Sequence, residues 1–266
     1  MPSIDLGRLK TQAAQLIESF DQPEAFVRQL HEMLELYTNR TIRPAQAATR
    51  ASLLSYHTPK PVLRQIEREM ETPADHFPLQ ATALVSALWK ASYQETRLLA
   101  CHLVGFIPPA SAMPLFSLLP EWVQQSKDSE IQAALLTDAL RRLRRENSQV
   151  LLLLIEDWLK SPDHRAQVWG LRALIPLLNE PGFENLPAVF RILRPAVETA
   201  RPSTQLDLQA CLAALERISL TETLHFLREV IAASKNPEML RILRRMLPTC
   251  SLELQIGLRE TLRETI

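Results

Sequence analysis

Glycine is scarce, with five in 266 residues. So low a count excludes collagen, flexible linkers and the many tight turns of most all-β folds. Gly-rich phosphate loops are missing as well. Neither GxGxxG nor GxxxxGK[ST] occurs, which argues against a nucleotide-binding fold and a nucleotide partner. The three cysteines, Cys101, Cys211 and Cys250, are far apart and form no CxxC pair. They read as small buried thiols in a reducing compartment, not as a disulfide framework. No HExxH, paired Cys/His spacing or GxSxG occurs, so no metal, cofactor or acyl-transfer chemistry is expected. The longest apolar run, Val150 to Ile155, is too short to span a bilayer, and the start MPSIDLGRLK lacks the apolar core of a signal peptide. A cytoplasmic chain with no membrane partner is the expectation. Charge of one sign is lacking too: Lys+Arg and Asp+Glu are both 30. That balance excludes a histone-like polycation while leaving the distribution of charge open.

What is abundant is leucine, roughly one residue in six. Apolar residues recur at three- and four-residue spacing, as in Leu84, Leu88, Leu99 and Leu103, or Leu135, Leu136, Leu140 and Leu143. No long stretch alternates with period two, so the fold class is all-α. The 19 prolines fit this class. Proline is tolerated in a first helical turn, and a polar residue before it caps the helix. Asp21-Gln22-Pro23, Thr58-Pro59, Thr72-Pro73, Ser161-Pro162-Asp163, Arg201-Pro202 and Asn236-Pro237 therefore each mark a helix start. Counting between breaks gives about fourteen or fifteen short helices. Paired, they repeat every 35 to 45 residues or so, the range of HEAT and armadillo arrays. One unit reads twice: WVQQSKDSEIQAALLTDAL from Trp122 and WLKSPDHRAQVWGLRALIPLL from Trp158. The expectation is one HEAT-like solenoid domain over residues 1–266, with a compact helical bundle as the alternative.

The stretch from Leu53 to Gly105 reads LLSYHTPKPVLRQIEREM, a connector, then LVSALWKASYQETRLLACHLVG. It resembles the AlkD-like DNA alkylation repair family, glycosylases built from HEAT-like repeats. WGLRALI, Trp169 to Ile175, is similar to that family's Trp-x-x-Arg-Ala segment. The resemblance covers about the middle half of the chain. It implies a C-shaped solenoid that holds duplex DNA on a basic concave face and excises cationic alkylpurines without drawing the base into a pocket. It also implies a Trp and an Asp on one helix and an Arg on a following helix. Arg172 occupies the place of that arginine. The Trp/Asp segment departs: in SKDSEIQAAL, Lys127 stands where Trp is expected and Ile131 where the Asp is expected. Asp128 matches the neighbouring carboxylate and is the candidate catalytic residue, while Asp138 lies two turns further on. The departure matters because a fixed carboxylate stabilises the oxocarbenium-like sugar of a breaking N-glycosidic bond, and an aromatic face adds cation–π attraction.

Candidate DNA contacts are Arg172 and Trp169 together with Arg141, Arg142, Arg144 and Arg145, a run read as the end of an apolar helix. Arginine outnumbers lysine about four to one, and guanidinium forks make paired bonds to phosphate oxygens. Arg191, Arg194, Arg241, Arg244 and Arg245 repeat the pattern, so neutrality is expected to place the acids on the opposite face. The same run also suits a solvated last helical turn, complementing the dipole. Trp89 and Trp158 read as packing residues, Trp122 and Trp169 as indoles that could face a groove, and His102 as a satisfied core residue. The function expected is a monomeric binder of damaged double-stranded DNA in the cytoplasm, nucleoid-associated when bound, with N-glycosylase activity left open. The alternative is a non-enzymatic scaffold with a protein partner.

Overall fold

The computed structural model describes residues 5–38, 53–234 and 236–264. Among them the chain is helical throughout, with no β-strand and one isolated parallel bridge, Leu54 to Tyr93. No helix among the described residues is long and apolar enough to cross a membrane. Contacts divide the chain into two compact units, Met1–Asn147 and Ser148–Ile266.

The first unit holds α1 (Leu6–Ile17), α2 (Pro23–Leu36), α3 (Lys60–His76), α4 (Pro78–Lys90), α5 (Gln94–Val104), α6 (Pro109–Gln125), α7 (Ser129–Thr137) and α8 (Arg141–Glu146). Alternate helices stack: α1 on α3, α3 on α5 and α5 on α7 make one layer, and α2, α4 and α6 the other. The second unit holds α9 (Ser148–Lys160), α10 (His164–Leu178), α11 (Leu186–Glu198), α12 (Gln205–Ile218), α13 (Leu220–Ala233), α14 (Pro237–Met246) and α15 (Leu252–Glu264). There α10, α12 and α14 stack as one layer, and α9, α11, α13 and α15 as the other. This is a helical-repeat architecture, as the proline-punctuated periodicity predicts. Between the layers lie the periodic leucines, Leu84, Leu99 and Leu103 in the first unit and Leu171, Leu174 and Leu215 in the second, all fully buried. Each contributes roughly 1.5–3 kcal/mol relative to an exposed position.

Polar contacts also follow the repeat. Arg172 to Asp207, Arg191 to Glu156, Arg194 to Glu229 and the Ser251 N–H to Glu216 all join residues 35 apart. Gln94 to Glu130 spans 36, the Thr58 N–H to Glu95 spans 37, and Arg217 to Asn179 spans 38. A residue therefore meets its counterpart one helical pair away.

Two local readings change. Pro73 lies inside α3, and the break comes at Phe77–Pro78 instead. The arginine run does not close α7. That helix ends at Thr137, and the arginines form the separate short helix α8. At the break the N–H groups of Asp138 and Ala139 both donate to the Ala134 carbonyl, at 2.8 and 3.0 Å. Gly105, which follows α5, permits the turn. A Cβ there would stand 2.0 Å from the Asp138 carbonyl oxygen.

Candidate functional site

In the second unit α10 begins where Ser161-Pro162-Asp163 predicts. Asp163 caps it, accepting from the Arg165 N–H at 2.9 Å, and the Gln167 amide reaches back to the Ser161 carbonyl at 3.1 Å. Ala166, Trp169, Gly170, Ala173, Leu174 and Leu177 form the buried stripe. Trp169 is 7% exposed, so the indole expected to face a groove is packed into the core. Its spacing from Ala166 and Ala173 places it on the apolar face of the helix. Arg172 falls off that stripe, and its side chain is 48% exposed. Its Nε donates to Asp207 of α12 at 2.9 Å.

In the first unit Asp128 caps α7. Its Oδ1 accepts from the N–H groups of Glu130 at 2.8 Å and Ile131 at 3.1 Å. Gln132 donates to the Ser126 carbonyl at 2.6 Å. Asp128, Gln132 and Ser126 thus do what Asp163, Gln167 and Ser161 do one repeat later. The self-similar segments seen in the sequence are one turn built twice. Lys127 is exposed and Ile131 fully buried, so neither supplies a carboxylate or an aromatic face.

The arginines of α8 are drawn into a network. Arg142 donates to Asp75 at 2.7 Å, to Glu146 at 2.6 Å and to the Phe106 carbonyl at 2.6 Å. Arg144 donates to the Thr137 carbonyl. Arg141 pairs with Asp138 at 3.1 Å and lies over the Phe106 ring, 5.5 Å from its centroid. Arg145 is exposed. Beside them opens a cleft of about 500 Å³, where Arg141, Arg142 and Arg145 meet Glu71, Asp75 and Glu146. In the second unit Arg191 pairs with Glu156, Arg194 with Glu229, and Arg241 with Glu238. Among the described residues, acids are therefore interleaved with these arginines, where the sequence pattern predicts them on an opposite face. Lys160 and Arg191 hold the Glu156 carboxyl below its ordinary value of 4.5.

Two clusters escape a local reading of the sequence. Trp89 stacks on Trp122 with centroids 4.4 Å apart, and the Arg97 guanidinium lies over Trp89 at 5.0 Å. His102, expected as a satisfied core residue, instead stands between two carboxylates. Its Nε2 is 3.2 Å from Glu67 and 3.9 Å from Asp138, while its buried Nδ1 has no hydrogen-bond partner among the described residues. Burial pushes Glu67 above its usual value, against the opposing pull of His102. The repeat offset is the signal that could have found this cluster, since Glu67, His102 and Asp138 are spaced by one repeat each. Among the described residues no group of three or more His, Cys, Asp or Glu could hold a metal ion. Cys101 and Cys211 are fully buried and their thiols are pushed well up by desolvation, which suits inert packing groups.

A family model described as DNA alkylation repair enzyme matches residues 30–246, which takes in both units. No curated protein matches the chain significantly, and no solved structure does.

Proposed function

The chain belongs to the DNA alkylation repair enzyme family, and on that premise we propose that it holds double-stranded DNA carrying alkylation damage, acting as a monomer at the nucleoid. The observation that carries the reading is the family match, joined to half-exposed arginines on both units. In the second unit Arg172 is the contact. Its side chain is exposed, and its ion pair with Asp207 is of a kind worth about 0–1 kcal/mol. A backbone phosphate can compete for it, because a guanidinium fork binds phosphate and carboxylate with the same geometry. In the first unit Arg141, Arg142 and Arg145 line the cleft, and Arg144 braces the turn behind them. Contacts of this kind fix position without reading sequence, so selectivity is for structure or damage.

Excision is the finer part of the proposal. Asp128 is the carboxylate left to face a cationic sugar, and two backbone N–H groups already orient its Oδ1. A carboxylate so held suits fixed electrostatic stabilisation and does not suit proton transfer. Trp169 supports the core and offers the DNA no ring face. The rival function, a scaffold for a protein partner, draws on the interleaved charges, which set carboxylates beside Arg172, Arg191 and Arg194.

The test is fluorescence anisotropy of a labelled duplex, intact or carrying an abasic analogue, at low and moderate salt. Affinity that falls steeply with salt supports phosphate contacts. Arg172→Glu is expected to weaken binding about tenfold while the protein stays folded. No binding at low salt removes the DNA reading and leaves the scaffold. Release of alkylated bases from the bound duplex then decides between an enzyme and a binder.

A further inference from the structure

DNA binding through the arginines leaves one cluster of side chains without a role. Glu67 comes from α3, His102 from α5, Asp138 from the end of α7 and Arg141 from α8. The imidazole Nε2 lies 3.2 Å from Glu67 Oε1 and 3.9 Å from Asp138 Oδ2. Asp138 Oδ1 accepts from Arg141 at 3.1 Å, and the Thr137 hydroxyl donates to Oδ2 at 3.3 Å. The four side chains are largely covered but open to water at the Arg141 end, which also lines the cleft. We propose that Glu67, His102 and Asp138 are positioning residues that govern the availability of Arg141, so that a DNA phosphate binds Arg141 together with a proton taken up by His102. The proposal rests on the DNA-binding reading and names the regulation of that same cleft.

The physical reason is a count of charges in a confined place. With His102 neutral, two carboxylates face one guanidinium, and the cluster carries one negative charge. A phosphate arriving at Arg141 adds more negative charge a few ångströms away, where burial makes repulsion strong. It also competes with Asp138 for the guanidinium. A proton on His102 removes both penalties: the imidazolium satisfies Glu67 and Asp138, and Arg141 can turn from Asp138 to the phosphate. The desolvation that already pushes Glu67 upward acts in the same direction, disfavouring further negative charge. The other ionisable groups nearby keep the same charge whether or not His102 holds a proton. From α3, Arg64 also faces Glu67, and on α5 itself Cys101 is a buried thiol. The one ionisable side chain of α4 is Lys90, exposed at the end where α5 begins.

Linkage fixes the sign. If the phosphate favours protonated His102, protonated His102 favours the phosphate by the same factor. Affinity therefore rises as pH falls through the histidine range, by at most about tenfold per pH unit for one proton. Arginine stays charged throughout and gives no such slope.

The experiment measures the Kd of a labelled duplex from about pH 8 to about pH 6 at constant ionic strength, with folding checked by circular dichroism. Wild type is expected to tighten several-fold. His102→Gln, which cannot take the proton, is expected to bind at the weaker high-pH level with a flat profile. Glu67→Gln, which removes one negative charge, is expected to bind tighter at high pH with a shallower slope. A purely structural His102 would change overall affinity without changing the slope. Wild type that binds with a flat profile overturns the proposal, as does a His102→Gln protein that keeps the wild-type slope. His76, at the end of α3, also lines the cleft, so loss of the slope in His76→Gln with its retention in His102→Gln assigns the proton to His76 and overturns the proposal as well. Wild type that does not bind at any pH fails at the DNA reading itself, which keeps the two failures apart.

Discussion

The turn into α7 and the turn into α10 are the same device, and the helices that follow them are not. In both, an Asp caps the helix and a Gln one turn in bonds back to a Ser carbonyl. Past that point α7 stops at Thr137, while α10 runs on to Leu178 with Arg172 on its open side. The short helix ends where the backbone of Gly105 comes against Asp138. The extra turn gives α8 room to carry the arginine run beside the cleft. Caps are thus set locally and repeat with the sequence. Where a helix ends, and which charges its end carries, is set by a neighbour one repeat away.

The sharpest way to break this contrast is at glycine. Gly105→Ala forces a methyl group into the Asp138 backbone and is expected to cost about 3 kcal/mol, since backbone cannot step aside as a side chain can. Gly170→Ala, in α10, meets the Leu159 side chain at 2.8 and 2.9 Å and the Ile155 carbonyl oxygen at 3.4 Å. It is expected to cost less than Gly105→Ala, because Leu159 is a side chain that can repack in part and roughly 0.5–1 kcal/mol of helix preference offsets the rest. Denaturant melts of both proteins measure the difference, and equal costs would remove the glycine explanation for the end of α7.

Next in size is the ion pair on the open side of α10. Asp207→Asn leaves Arg172 without its carboxylate, and duplex affinity is expected to rise a few-fold at low salt. Unchanged anisotropy would show that the pair does not compete with DNA. The two caps follow. Asp128→Ala and Asp163→Ala should each lose about 1 kcal/mol, and Asn at either place should lose little. If base release is observed, Asp128→Asn separates the roles of that carboxylate: a stable protein without release keeps it in the chemistry, and full release makes it a cap only.

The smallest effect is that of Glu156. Its folded value lies below 4.5, held there by Lys160 and Arg191. Its contribution is therefore fully present above 4.5 and is lost as pH falls through the lower, folded value. Glu156→Gln should flatten the acid side of the stability profile and leave the alkaline side alone. An acid limb identical to wild type would show that the pair contributes nothing.

Much of the fold is legible in the sequence because its causes are local. Asn236-Pro237 and Asp163 start helices by hydrogen bonds made within three residues, and leucine spacing names the buried faces. Trp169 is legible as well, since it falls on the stripe of Ala166 and Ala173, although the arginine three residues on makes it resemble a DNA contact. The site was less legible. Arg142 finds Asp75 across 67 residues, and the partners of His102 lie one repeat to either side. Composition gives equal numbers of acids and bases without saying that they interlock. Pro73 inside α3 shows the same limit, because one missing N–H near a helix end costs less than the packing of Met70 and Ala74 returns.

The polar ties at a constant offset have a mechanical consequence. Within residues 148–266 neighbouring helices are joined by a leucine interior and, outside it, by exposed charge pairs such as Arg194 with Glu229. Salt screens the second kind of joint and spares the first. The stack is then a spring with two stiffnesses in parallel, one of which an ion bath, or a polyanion competing for the same arginines, can switch off without loosening the core.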